Sequence, residues 1–557
     1  MVKKIFTFIE REISGVHEAA YILGFFAILS QLLALLRDRL FAHSFGAGET
    51  LDLYYAAFRI PDFIFVTVAS LVSISVLIPF LISESEHNIE QGKKFINSIF
   101  TIFFFGMCAV SIVVYFLIPR LLILFFPDFV VSGQFPELIT LTRLLLLSPF
   151  FLGISNLLAS VTQLYNRYII YALSPLFYNL GIIIGVVFFY PMVGIVGLGY
   201  GVVLGAFLHM VLQIPFIVSK GFFPKFSFHG NWRVIRRVLM LSLPRTLALS
   251  ANELAKFALI SLASFLSIGS ISIFTLSYNM QSVPLSIIGV SYSLAIFPTL
   301  SRLYAQGNKK EFIEKIAVST KHIIFLSLPV MTLFVVLRAQ IVRTILGSGA
   351  FDWQDTRLTA AALAIFVLSL IPQSLVLLFA RAYYSMNKTL QPLMVNVVSS
   401  LLIILCGYVS LTFADNHAFL VALGKIFRVS DVLGIDVLLL ALSYAIGVTV
   451  NCLWHWVLIE KECRGFTRQV VRTIFQSLIA SLFMGLVAYS MLAVFDNIFN
   501  LSTVIGIFMQ GFLAGIVAIL VWALVLKLLG SRELTAMIAT LQRKIWRVKV
   551  VPPDMQI

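Results

Sequence analysis

Arg37, Asp38 and Arg39 stand inside an apolar run, Leu23 to Phe41, and the turn Phe45-Gly46-Ala47-Gly48 leads into a second run carrying Arg59-Ile60-Pro61-Asp62. A charge in the hydrocarbon of a bilayer costs about 2.5–3.5 kcal/mol even on permissive insertion scales, so such charges usually face a protein interior or a wet cavity. Arg143, Arg245 and Lys256 fall within later apolar runs, and Glu253 lies close to the last of them. Arginine offers a planar fork of donors suited to the oxygens of a phosphate or diphosphate. These cations, outnumbering Asp38, Asp62 and Glu253, read as a cavity that receives such a group. Arg59 and Asp62 are three apart and share a helix face, as do Glu253 and Lys256, so each couple can pair. Arg37 and Asp38 are adjacent and are expected to point differently. The competing reading is structural: Arg39, Arg143 and Arg245 could snorkel from helix ends to the interface.

The elements that must hold these residues are membrane helices. The chain has 557 residues, 60% hydrophobic and 12% charged, with a mean hydropathy of +1.00. That is not the composition of a soluble domain. Apolar stretches of about 20 residues recur throughout, long enough to span roughly 30 Å of hydrocarbon, and they are too continuous for a β-barrel. About fourteen spans are expected, giving an all-α polytopic membrane protein.

Most of the 40 lysines and arginines fall on one side of that topology. The dense loops are Lys220/Lys225/Arg233/Arg236/Arg237, Arg302/Lys309/Lys310/Lys315/Lys321 and Lys461/Arg464/Arg468/Arg472, with Arg543/Lys544/Arg547/Lys549 in the tail. The positive-inside rule then puts both termini in the cytoplasm. The formal charge of +15 is read as orientation plus attraction to anionic phospholipid, not as a nucleic-acid surface. Cys108, Cys406, Cys452 and Cys463 have no metal-ligand spacing, and neither a disulfide framework nor a zinc site is expected. No HExxH, GxSxG or GxxxxGK[ST] motif is present, so no catalytic group or cofactor is expected, and transport would draw on an ion gradient, the membrane potential or product consumption.

Internal echoes suggest duplication. Asn166-Arg167 precedes Pro175-Leu176-Phe177-Tyr178-Asn179, and Asn387-Lys388 precedes Pro392-Leu393-Met394-Val395-Asn396. Phe45–Gly48 opens a helix with Pro61 and Pro79, and Phe265–Gly269 opens one with Pro284 and Pro298. Two parallel six-helix repeats with a site between them are an established transporter plan. The expected division is 1–19, an amphipathic start; 20–222, the first lobe; 223–460, the second, with outer segments 339–357 and 414–433; 461–530, a final helix pair; and 531–557, a basic tail. Asn179 and Asn396, with Ser242, Ser250, Asn252, Ser291 and Ser293, could line a wet cavity, although serine also packs membrane helices closely.

Arg37-Asp38, Phe45-Gly46-Ala47-Gly48, Asp52 and Phe58-Arg59-Ile60-Pro61 resemble the first hairpin of the MurJ-type (MviN) lipid II flippases, members of the MOP exporter superfamily. Further matches, in family order, are Ser174–Asn179, Ala263-Ser264-Phe265-Leu266, Gly269-Ser270-Ile271-Ser272, Phe297–Ser301 and Arg381-Ala382-Tyr383-Tyr384. The resemblance implies two six-helix lobes around a cationic cavity, and a terminal pair forming a lipid groove. It also implies alternating access that moves undecaprenyl-diphosphate-linked peptidoglycan precursor between leaflets of the bacterial cytoplasmic membrane. A monomer, working near cell-wall synthesis enzymes, is expected. The chain departs from the family at Gln31, at Asp62–Val66 with Ala69-Ser70-Leu71, and at Asn279, where arginines or an Ala-Glu-Gly run are common. Arg245 and Lys256 are expected to compensate. Other readings are a flippase for another polyprenyl-linked saccharide, a MATE-like cation exporter, which the basic cavity disfavours, a membrane-embedded glycosyltransferase using Asp352 and Asp355, and a non-transporting scaffold.

Overall fold

The computed structural model describes residues 16–69, 74–228, 232–414 and 417–546. Most of the expected amphipathic start, Ser70 and Leu71 of the second apolar run, and Arg547 and Lys549 of the tail lie outside the described residues. Within them the chain is helical, and no strand occurs. The helices are α1 (Val16–Phe45), α2 (Glu49–Thr67), α3 (Ile74–His87), α4 (Ile89–Phe125), α5 (Phe135–Leu164), α6 (Tyr168–Val193), α7 (Ile195–Ser219), α8 (Trp232–Ser264), α9 (Ser270–Ala305) and α10 (Lys309–Val336). There follow α11 (Arg338–Ile345), α12 (Trp353–Ser385), α13 (Leu390–Thr412), α14 (His417–Phe427), α15 (Val437–Glu462), α16 (Phe466–Asp496), α17 (Val504–Leu528) and α18 (Arg532–Trp546). Among the described residues, 12 of these are long and apolar enough to cross a membrane. α1 and the α2–α3 segment stand where the first two spans were expected.

The chain forms two compact units. One comprises residues up to Leu276 with Ile345–Asp355 and Asn396–Leu440; the other comprises Ser277–Thr344, Thr356–Val395 and the chain from Ala441 onward. In both, large apolar side chains face outward, including Phe116 on α4 and Leu486 on α16, 72% and 66% exposed. A surface like this is stable only against lipid.

Local chemistry sets where helices begin. Asn308 accepts from the Glu311 N–H at 3.3 Å and donates to the Glu311 carboxylate at 2.9 Å, closing a reciprocal cap at the head of α10. Thr503 caps α17 by accepting from the Gly506 N–H at 3.1 Å. The two asparagine turns picked out in the sequence are built alike. Asn166 and Asn387 both take left-handed backbone, φ 55° and 58°, a conformation asparagine tolerates better than most residues. In each turn the next N–H, from Arg167 or Lys388, returns 2.9 Å to a carbonyl five residues back, that of Thr162 or Tyr383.

The first unit also contains a contact between backbones. Gly181 and Gly185 of α6 face Gly201 and Gly205 of α7, and a Cβ added at any of the four would fall on main-chain atoms of the other helix. This is a small-xxx-small seam, which lets helices approach closely where lipid supplies no hydrophobic drive. It supports the Asn179 side of the charged site described below. Gly185→Leu or Gly201→Leu should cost about 1–3 kcal/mol through overpacking and lower the Tm of the purified protein by several degrees. Gly106→Leu should leave Tm unchanged, because nothing lies within 4 Å of a Cβ there.

Candidate functional site

The site belongs to the first unit and is built from α1, α2, α6 and α8. Asp38 is almost fully buried, 2% exposed, and takes two hydrogen bonds on one carboxylate oxygen, from Arg37 Nε at 2.9 Å and Nη2 at 2.7 Å. Adjacent residues leave a helix in different directions, which is why the two were expected to diverge. The long arginine side chain instead folds back along α1 and reaches its neighbour. Its remaining fork nitrogen, Nη1, donates to Asn179 Oδ1 at 3.0 Å. Asn179 is oriented for this, since its Nδ2 donates to the Pro175 carbonyl one turn earlier at 3.1 Å. The Pro-Leu-x-x-Asn pattern therefore places an acceptor against α1.

Tyr54, Tyr55 and Tyr178 surround this pair electrostatically, and the Tyr55 hydroxyl is buried with no hydrogen-bond partner. No role was expected for these tyrosines, although Tyr178 stands in the Pro175–Asn179 segment. Their signal was the spacing: Tyr54 and Tyr55 follow Asp52 on one turn of α2, and Tyr178 directly precedes Asn179.

A second group of charges adjoins the first. Arg59 reaches Asp62 at 3.9 Å, a loose pair with Asp62 41% exposed, and Arg59 Nε also donates to the Tyr55 carbonyl at 2.9 Å. On α8, Lys256 and Glu253 pair at 2.5 Å. Asp62 lies within electrostatic reach of Arg59, Glu253 and Lys256, and Tyr178 within reach of both Asp62 and Arg37. Arg37–Asp38, Arg59–Asp62 and Glu253–Lys256 thus form a network of three neighbouring pairs, three cations against three carboxylates. At 100° per residue, Arg245, Asn252 and Lys256 fall within an arc of about 40° on α8, so the half-buried Arg245 shares the face that carries the network.

The other candidates are placed differently. Asp52 is buried and its carboxylate is already taken: it accepts from the Gly269 N–H at 2.7 Å, from the Ser272 N–H at 2.7 Å and from the Ser272 hydroxyl at 2.5 Å. It caps the start of α9, which gives the Phe45–Gly48 and Phe265–Gly269 turns a direct physical link. Gln31 is half-buried on α1, seven residues before Asp38 and so on the same face. Asn396 is buried on α13, one turn before Ser400, whose hydroxyl donates to Asn252 Oδ1 on α8 at 3.2 Å. Helices α8 and α13 are therefore joined by a polar contact as α1 and α6 are. Asn279 is half-buried in the second unit.

Arg39 Nη1 donates to the Ile345 carbonyl at 3.1 Å, and Arg143 lies 4.3 Å over the Tyr115 ring. Asp355, weighed above as a catalytic loop carboxylate, accepts from the Ala47 N–H at 3.0 Å, and the Ala350 N–H donates to the His43 carbonyl at 2.9 Å. Segment 345–355 is thereby laced to the first turn. A separate cavity of about 200 Å³ opens beside Glu49, Asp128, Gln134 and Ser264; burial pushes the Asp128 carboxyl above its usual range. Among the described residues no group of three or more His, Cys, Asp or Glu is placed to hold a metal ion.

This arrangement can bind an anionic group by exchanging carboxylate partners for it, and it offers no nucleophile held by a base. Known proteins agree with a transporter. A protein named probable lipid II flippase MurJ from Buchnera aphidicola subsp. Schizaphis graminum is 27% identical over 502 residues, covering 87% of this chain and 93% of that one. Another of that name from Thermotoga maritima is 27% identical over 456 residues, covering 76% and 90%. The fold is similar to a solved lipid II flippase MurJ in an inward closed conformation, with TM-score 0.70, 22% identity and coverage of 90% and 98%. It is also similar, more distantly, to an inward-facing multidrug resistance MATE family transporter of the MOP superfamily, with TM-score 0.61, 14% identity and coverage of 79% and 96%. The family model for lipid II flippase MurJ matches residues 41–509, and the chain belongs to that family.

Proposed function

We propose that this protein is a flippase that carries lipid II, the undecaprenyl-diphosphate-linked peptidoglycan precursor, from the inner to the outer leaflet of the bacterial cytoplasmic membrane by alternating access, with both termini cytoplasmic. The observation that carries the reading is the family match across residues 41–509, which takes in Arg59, Asp62, Arg245, Glu253 and Lys256. Arg37 and Asp38, just before it, complete the network.

The network suits a diphosphate headgroup in one specific way. Each guanidinium or ammonium already has a carboxylate partner, so desolvation has been offset in the empty state. A diphosphate entering the site replaces one set of charge-assisted hydrogen bonds with another. Held too tightly it would not leave, and the competing Asp38, Asp62 and Glu253 carboxylates weaken its hold. No nucleotide-binding motif is present in the sequence, so we infer that the energy comes from an ion gradient, the membrane potential or consumption of the product.

Removing one member of a buried pair should destabilise by about 3–5 kcal/mol, which confounds a simple functional test. The informative variant is therefore Arg37→Leu/Asp38→Leu, which deletes both charges. It should fold, with monodisperse elution in detergent, yet fail to support growth of a MurJ-depleted bacterium and leave lipid II inaccessible at the outer leaflet. Full rescue by this variant would remove Arg37 and Asp38 from the mechanism. In the same assay Arg245→Ala/Glu253→Leu/Lys256→Leu, which takes out both members of the α8 pair, should lower outer-leaflet lipid II at least tenfold. An undiminished level would show that α8 does not compensate for the family arginines missing at Gln31 and Asn279.

A further inference from the structure

The connection from α7 to α8 includes an irregular segment that lies along a membrane helix. After Phe222, which is buried, residues 223–228 run beside α4. The Lys225 N–H donates to Asn97 Oδ1 at 2.8 Å and the Ser227 N–H donates to Thr101 Oγ1 at 2.8 Å. Phe226 sits 5.4, 5.0 and 5.6 Å from the rings of Phe100, Phe104 and Phe105, and Phe228 stacks 6.1 Å from Phe105. From Lys225 to Phe228 an extended chain rises about 10 Å, and from Asn97 to Phe105 a helix rises about 12 Å. The segment therefore keeps pace with α4, starting about 12 Å beyond the first residue of that helix.

Irregular backbone beside a membrane helix needs partners for its polar groups, and Asn97 and Thr101 supply them for two N–H groups. The side chains nonetheless point outward. Phe223, Phe226, Phe228 and Trp232 are 50%, 58%, 63% and 57% exposed. Cations flank them: Lys93, Lys94 and Lys225 lie within electrostatic reach of Glu90, which pairs with Lys93 at 2.7 Å, and Arg236 and Arg237 are exposed on the first turns of α8. Exposed aromatic rings bordered by lysine and arginine match the boundary between acyl chains and headgroups, and the excess of cations over the single carboxylate calls for an anion.

We propose that the segment 223–228 and the adjoining ends of α4 and α8 form a binding surface for an anionic phospholipid, its acyl chains against Phe226 and Phe228 and its phosphate between Lys93, Lys94 and Lys225. The surface is distinct from the charged network and does not depend on what that network carries.

Native mass spectrometry of the full-length protein in detergent, with equimolar phosphatidylglycerol and phosphatidylcholine, tests it. The parent should retain phosphatidylglycerol at least threefold over phosphatidylcholine. Lys93→Gln/Lys94→Gln/Lys225→Gln should bring the ratio near one, whereas the matching triple arginine variant should keep it. Phe226→Ser/Phe228→Ser should lower retention of both lipids. A parent without preference, or a glutamine variant that keeps the parental ratio, overturns the proposal. So does displacement of phosphatidylglycerol by equimolar undecaprenyl phosphate, which would assign the surface to the polyprenyl carrier.

Discussion

The structure depends on one constraint: in hydrocarbon, no charge and no backbone polar group is left without a partner. Arg37 meets it through Asp38 and Asn179, and in doing so ties α1 to α6. Asp52 meets it by capping α9 from α2. Lys256 meets it through Glu253, three residues away on α8. Even the irregular chain before α8 borrows Asn97 and Thr101 for the same purpose. These contacts position helices that side-chain packing alone would leave free to slide, because lipid tails are as apolar as leucine.

The same constraint explains why the site is balanced instead of plainly cationic. A bare cluster of guanidinium groups would have to remain hydrated or hold its anion permanently. Pairing each cation with a carboxylate keeps the empty site stable and makes binding an exchange of partners. On the proposed function, selectivity then lies in what the anion offers beyond charge, namely several oxygens able to satisfy two forks at once. The loosely held Asp62 is the partner most easily given up.

Much of this was legible in the sequence. The apolar runs marked the membrane helices, and spacings of three gave the Arg59–Asp62 and Glu253–Lys256 pairs, because residues three apart on a helix must be neighbours. The Pro-Leu-x-x-Asn pattern marks Asn179, and the Asn166 and Asn387 turns share one hydrogen-bond pattern. What stayed hidden depends on rotamers and on contacts distant in sequence. No spacing rule says that Arg37 will fold onto its own neighbour, that Asp52 will be spent on a cap 217 residues away, or that Tyr178 will stand within reach of two groups of charges. The glycines at 181, 185, 201 and 205 stand in pairs four apart, yet that spacing alone does not say which helix each pair will face.

That glycine seam bears on assembly. Helices α6 and α7 are consecutive and are joined by a tight turn at Gly194, φ 67°, so the contact between them closes a short loop at small entropic cost. It needs no third helix and no charge to be neutralised. A hairpin of this kind can zip together as soon as both spans have left the insertion machinery, before most of the chain has been synthesised. Asn179 is carried on it, so an acceptor for Arg37 is presented on a preformed surface, and the most costly side chain of α1 has a place to dock early in biogenesis.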